Sequence, residues 1–181
     1  MAAKTVVGEG ALIVPVELPV AARRLRDRMD PSAAQGVPAH VTLLYPFMPP
    51  ELVDEGVRRR IAQIIGREAA FPFSLSRVGR WPDVVYLPPE PDEPFHRLIA
   101  ALREAFPDYP PYAGAHAQVV PHVTIAQDPR PEYLAAAEHA LPPMLPIRDV
   151  AREAWLIGHA PTQSWQTLWR LPLAGGSGSS R

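Results

Sequence analysis

Apolar residues along this chain recur in two rhythms, and the changes between them outline its elements. Residues 11–18 (ALIVPVEL) are a short apolar run that predicts a buried strand. In 20–29 (VAARRLRDRM) Leu25 and Met29 fall one helical turn apart, which predicts a helix with a single inward face. Residues 30–39 read as loop, and 40–47 (HVTLLYPF) as a strand stopped by Met48, Pro49 and Pro50. A helix follows over 51–68, its apolar stripe made by Leu52, Val57, Ile61, Ile64 and Ile65. Residues 71–81 and 84–89 read as two strands joined in a hairpin around Pro82 and Asp83.

A second series repeats that order. Residues 95–106 predict a helix with Phe95, Leu98, Ile99 and Leu102 inward, 107–121 a loop of Pro, Tyr and Gly, and 122–127 (HVTIAQ) a strand. Residues 131–141 form a helix opened by Pro131, and 147–160 with 164–173 form a last strand pair. Each half thus runs helix, loop, His-Val-Thr strand, helix, strand pair. The pattern predicts an α+β fold from an internal duplication: two lobes about a pseudo-two-fold axis, antiparallel or mixed sheets lining a central cleft, helices outside. We expect one bilobal domain over 1–173 and a flexible tail over 174–181 (AGGSGSSR).

Composition narrows the partners. A net charge of −1 gives no electrostatic footprint for duplex DNA or an anionic membrane, and no apolar run reaches the length of a span. The N-terminus, interrupted by Gly8, Glu9, Gly10 and Glu17, reads as a strand lead-in and not a signal peptide, so the expected location is cytoplasmic; a monomer is the default expectation. Without cysteine there is neither a disulfide scaffold nor a thiolate metal site nor a cysteine nucleophile.

The chemistry lies in the repeated tripeptide. On a strand, side chains at i and i+2 share a face, so His40 with Thr42 and His122 with Thr124 each present an imidazole and a hydroxyl together. Two such strands across a cleft supply one proton acceptor, one proton donor and hydroxyls for the oxygens of a tetrahedral anion. That set suits in-line displacement at phosphorus, with no metal in the scheme.

These motifs resemble those of the two-histidine (2H) phosphoesterases, which include the 2'-5' RNA ligases and cyclic nucleotide phosphodiesterases. The resemblance spans roughly residues 10–172 and rests on HVTLLYPF and HVTIAQ. It implies His40 and His122 as the catalytic pair, Thr42 and Thr124 as phosphate ligands, and no cofactor. The implied reaction is metal-independent opening of a 2',3'-cyclic phosphate on a nucleotide or short RNA end. The alternatives are 2'-5' ligation and a non-catalytic nucleotide or RNA-end binding module. Ligase-type members often carry Arg or Lys three residues after the second threonine; here Gln127 stands there, a donor without charge.

Further candidates follow from residue type. Trp81 at the hairpin tip is a candidate for stacking on a nucleobase, as are Tyr109 and Tyr112, and Arg77 and Arg80 are candidate phosphate ligands. His116 and His159 are candidates to approach the cleft, whereas His96 and His139 read as surface residues. Strict alternation from His40 turns Tyr45 away from the site, toward the core.

Overall fold

The computed structural model describes residues 8–111, 119–160 and 163–176. The first strand, β1 (Glu9–Pro15), is followed by helix α1 (Val20–Met29), which buries Ala22, Leu25 and Met29 on one face and places Arg26 and Arg28 in its last turn, where the helix dipole favours cations. The segment read as loop contains a short helix, α2 (Pro31–Ala34). Asp30 caps it by accepting the Ser32 N–H, and Pro31 occupies the first turn. Strand β2 (His40–Phe47) has the expected bounds.

Helix α3 (Glu55–Ile65) is shorter than the apolar stripe suggested. Asp54 accepts the Val57 N–H at 2.8 Å and so starts the helix at Glu55, leaving Leu52 exposed in a 3-10 turn (Pro50–Leu52). Each of the two long strand segments splits. The first becomes β3 (Phe71–Leu75) and β4 (Gly79–Trp81), followed by β5 (Val84–Leu87) and β6 (Pro89–Glu90). Helix α4 (Glu93–Ala105), β7 (Val123–Gln127) and α5 (Pro131–Ala140) come next. The second segment divides into β8 (Ile147–Ala151) and β9 (Glu153–His159), with β10 (Gln166–Pro172) last.

Three antiparallel sheets result, in orders β10-β9-β1-β2, β4-β5-β7 and β6-β3-β8. The splits have one cause: β3 pairs along its length with β8, Phe73 opposite Asp149, so each chain must leave that sheet before its next strand joins another. Each His-Val-Thr strand ends at the edge of its own sheet, and the helices cross between them. The helix leading into the first motif, α1, packs against β7, and α4, leading toward the second, packs against β2. Phe95, fully buried, meets Phe71 and Phe73 edge to face in the core beside them. A smaller apolar cluster of Ala11, Ile13, Val37 and Ile157 gathers Tyr45, Trp155 and Trp165 around it.

The tail is held further than its composition suggests. Ala174 donates to the Glu68 carbonyl and accepts from the Ala70 N–H, both at 2.8 Å, so ordered backbone pairing reaches past residue 173. Residues 177–181 lie outside the described part. Among the described residues, no helix is long and apolar enough to cross a membrane.

Candidate active site

His40 opens β2 and His122 immediately precedes β7, and both imidazoles make the same contact. Nδ1 of His40 lies 2.7 Å from the Pro38 carbonyl, and Nδ1 of His122 lies 2.7 Å from the Val120 carbonyl, in each case two residues back. A carbonyl oxygen only accepts, so each Nδ1 carries the proton. In the neutral ring Nε2 is then left as the acceptor. Burial is the main influence on both rings and disfavours the charged form: it takes His40 down to about 4 and lowers His122 as well. The carbonyl bond pulls the other way in each ring. At His40 the Arg26 charge adds to the lowering, and Asp30 opposes it.

Both motifs open on one cavity of about 790 Å³. His40, Thr42, His122, Thr124, Gln127 and Trp81 all line it. Trp81 stacks on Tyr86 with ring centres 4.1 Å apart and meets the His122 ring edge to face at 4.7 Å. Gly79 lies directly across the hairpin from Tyr86, and a Cβ there would come within 2.3 Å of the tyrosine ring. The missing side chain at residue 79 is what lets this aromatic pair settle.

Tyr45 faces the cavity, contrary to the alternation. The register shows why: Ile13 pairs with Thr42 and Leu12 with Leu44, so Leu43 is an extra residue on β2, and Leu43 and Leu44 are both buried. The second motif does the same. Tyr86 pairs with Thr124 and Val85 with Ala126, which makes Ile125 the extra residue and buries both Ile125 and Ala126. The bulge after each threonine turns the third residue onward back to the cavity, Tyr45 in one strand and Gln127 in the other. The apolar pairs Leu43-Leu44 and Ile125-Ala126 are the sequence signal for it.

Sequence reasoning also missed Asp30, Ser32 and Asp83, which line the same cavity. Asp30 and Arg26 form a buried ion pair at 2.9 Å, side chains 2% and 4% exposed. Arg26 also donates to the Ser32 hydroxyl and the Val37 carbonyl, while the Ser32 hydroxyl donates to Asp30. The cue was Asp-Pro-Ser directly after a helix, a capping sequence read as loop.

The remaining candidates lie elsewhere. Arg77 is bound to Glu90, and Arg80 to the Trp81 carbonyl and Glu138; neither lines the cavity. Tyr109 packs edge to face on Phe47 in the core. His159 lies 4.0 Å from Glu9, whose carboxylate accepts the Tyr45 hydroxyl, and rests against Trp165, off the cavity wall. His96 pairs with Asp92 on α4, and His139 is exposed on α5. His116 and Tyr112 lie outside the described residues. Among the described residues, no three His, Asp or Glu side chains converge as a metal would need.

The fold has solved counterparts. TT0787 of Thermus thermophilus superposes with a TM-score of 0.59 at 20% identity, covering 91% of this chain and 97% of its own. E. coli LigT complexed with 3'-AMP gives 0.54 at 17%, covering 92% and 98%. Kluyveromyces marxianus Usb1 with uridine monophosphate gives 0.53 at 15%, covering 91% and 98%. At these identities the likeness concerns the fold. No curated protein matches the chain. The family model of the 2'-5' RNA ligase superfamily matches residues 14–160, most of the chain and both His-Val-Thr motifs, and the protein therefore belongs to that superfamily.

Proposed function

We propose that the protein is a phosphodiesterase that opens the 2',3'-cyclic phosphate of a nucleotide or RNA end by two-histidine general acid/base catalysis. The observation that carries this reading is the matched pair of imidazoles on one cavity, each with Nδ1 held as a donor and Nε2 left for proton transfer. In this scheme His40, which burial holds neutral down to about 4, is the base and His122 is the acid. The His40 Nε2 removes a proton from water as its oxygen bonds to phosphorus. The P–O bond to one ribose oxygen breaks, and the His122 Nε2–H protonates that oxygen. The Thr42 and Thr124 hydroxyls donate to the non-bridging oxygens. Bound phosphate anion favours imidazolium, which keeps His122 charged in the complex although burial opposes it in the free protein.

Trp81 supplies an aromatic surface next to the acid, suited to a nucleobase. Residues 1–173 act in this scheme as one bilobal catalytic domain of duplicated halves. The same bulge after each threonine and the crossing of α1 and α4 support that view. Nucleotides bound by E. coli LigT and K. marxianus Usb1 agree with a nucleotide ligand. Ligation is the second reading, favoured by the superfamily's name: a 5'-hydroxyl takes the place of water, and the two proton transfers run in the same direction.

The test is turnover of a panel of 2',3'-cyclic nucleotides and 2'-5'-linked dinucleotides, read by product mass. His40→Ala and His122→Ala should each lower kcat by about 10²–10⁴-fold with unchanged circular dichroism. Full activity in both variants would exclude the mechanism. Tight nucleotide binding without product in a single turnover would assign the cavity to a binding module.

A further inference from the structure

The rim of the cavity carries charge of one sign. Asp83, an exposed residue at the tip of the β4–β5 hairpin, is among those that line it. The hairpin is fixed there: the Asp128 N–H donates to the Asp83 carbonyl at 3.0 Å, and Val84 sits opposite Gln127. Asp30 also lines the cavity, but the buried Arg26 balances its charge. Nearby cations are engaged elsewhere, Arg80 with Glu138 and Arg130 in a two-pronged contact with Asp128, both prongs 2.7 Å. Among the described residues that line the cavity none is Lys or Arg, and the sequence of 112–118 (YAGAHAQ) contains neither. Gln127 donates hydrogen bonds without adding charge. The imidazoles, held toward neutrality by burial, do not offset Asp83 in the free protein.

We propose that the cavity selects a phosphodiester with a single negative charge, a nucleoside 2',3'-cyclic phosphate bearing no further phosphate, and that Asp83 is the specificity-determining residue that turns additional phosphates away. The inference deepens the phosphodiesterase reading and rests on it. It also accounts for product release. Water adds to phosphorus, one ribose P–O bond breaks, and the product is a monoester that loses a second proton to solvent near neutral pH. The substrate enters with one charge and the product leaves with nearly two, so the field that tolerates the first repels the second.

The experiment compares adenosine 2',3'-cyclic phosphate with its 5'-phosphorylated counterpart, using the whole chain and its Asp83→Asn and Asp83→Lys variants. The ratio of the two kcat/KM values is measured at about 20 mM and about 300 mM salt, because screening weakens the effect of an exposed carboxylate. The parent protein should prefer the substrate without the extra phosphate by about tenfold at low salt, and by less at high salt. Asp83→Asn should narrow that ratio about fivefold and Asp83→Lys should invert it. Equal use of both substrates by the parent, or the same ratio in Asp83→Asn, overturns the assignment. Calorimetric binding of adenosine 3'-monophosphate against adenosine 3',5'-bisphosphate separates the two readings. Weaker binding of the bisphosphate in a protein that turns over neither cyclic substrate keeps the charge selection and removes the phosphodiesterase. Equal binding of the two by the parent removes the charge selection, whatever the turnover.

Discussion

At the scale of single residues, the carbonyls of Pro38 and Val120 do for the two imidazoles what a carboxylate does in many acid/base sites, but without charge. They fix the tautomer and leave burial to set the titration. The unfolded chain takes up protons on these rings near pH 6.5, while folded His40 resists until about 4, so between those values the unfolded state holds more protons. Stability should therefore fall as pH drops through that window, and the fall should be smaller in His40→Gln; a Tm that rises from pH 6.5 to pH 4.5 would contradict the shift. Activity responds on the alkaline side, where the acid loses its proton. The kcat/KM profile reports the free enzyme, so its alkaline limb should lie below pH 6.5, while that of kcat should lie higher because bound phosphate raises the acid. The roles separate by leaving group. With a nucleoside 4-nitrophenyl phosphodiester, whose nitrophenolate leaves without a proton, His122→Ala should lose about 10²-fold less activity than on the cyclic substrate. His40→Ala should lose the same on both, and the reverse pattern would exchange acid and base.

Among the elements, the short connection from α1 to β2 has the largest consequence for its size. Arg26 reaches from α1 to the Val37 carbonyl, one residue before the carbonyl that orients His40, and its pairing with Asp30 is almost wholly buried. Arg26→Met leaves the Asp30 carboxylate buried and unpaired, and should cost about 3–5 kcal/mol. In a chain of this size that is a fall in Tm of roughly 10 °C. Adding Asp30→Leu should restore much of the stability, because the uncompensated charge is gone, but not kcat, because the segment before His40 is still untied. Recovery of both together would mean the network has no part in placing the histidine. Sequence showed this stretch only as polar loop. The bounds of α1, β2 and α5 were legible because period and neighbouring prolines agree there, whereas the pairing of β3 with β8 joins segments far apart in the chain and leaves no local mark. Tyr45 shows the same limit inside one strand: period-two counting holds to Thr42 and fails at the extra residue Leu43, which only the register with β1 reveals.

For the whole molecule, His40 and His122 stand 82 positions apart in the chain, and the sequence showed them as paired only through the repeated order of elements around them. The structure brings them together by crossing α1 onto β7 and α4 onto β2, so each half's helix supports the other half's motif. Charge was legible only as a sum, −1, and that sum did not show that the cavity wall lacks cations among the described residues while Arg77, Arg80 and Arg130 are each paired with a carboxylate. A protein that gripped RNA along its backbone would lose affinity steeply with salt, by about 10³–10⁵-fold between 50 and 200 mM for six to ten phosphate contacts. This one should not. For adenosine 2',3'-cyclic phosphate, kcat/KM should change less than about twofold over the same range and drift upward, because screening weakens a mild repulsion and no Lys or Arg among the described lining residues supplies an attraction. A fall of tenfold or more would require a cationic path to the cavity, and would turn the reading from small cyclic nucleotides toward extended RNA ends and ligation.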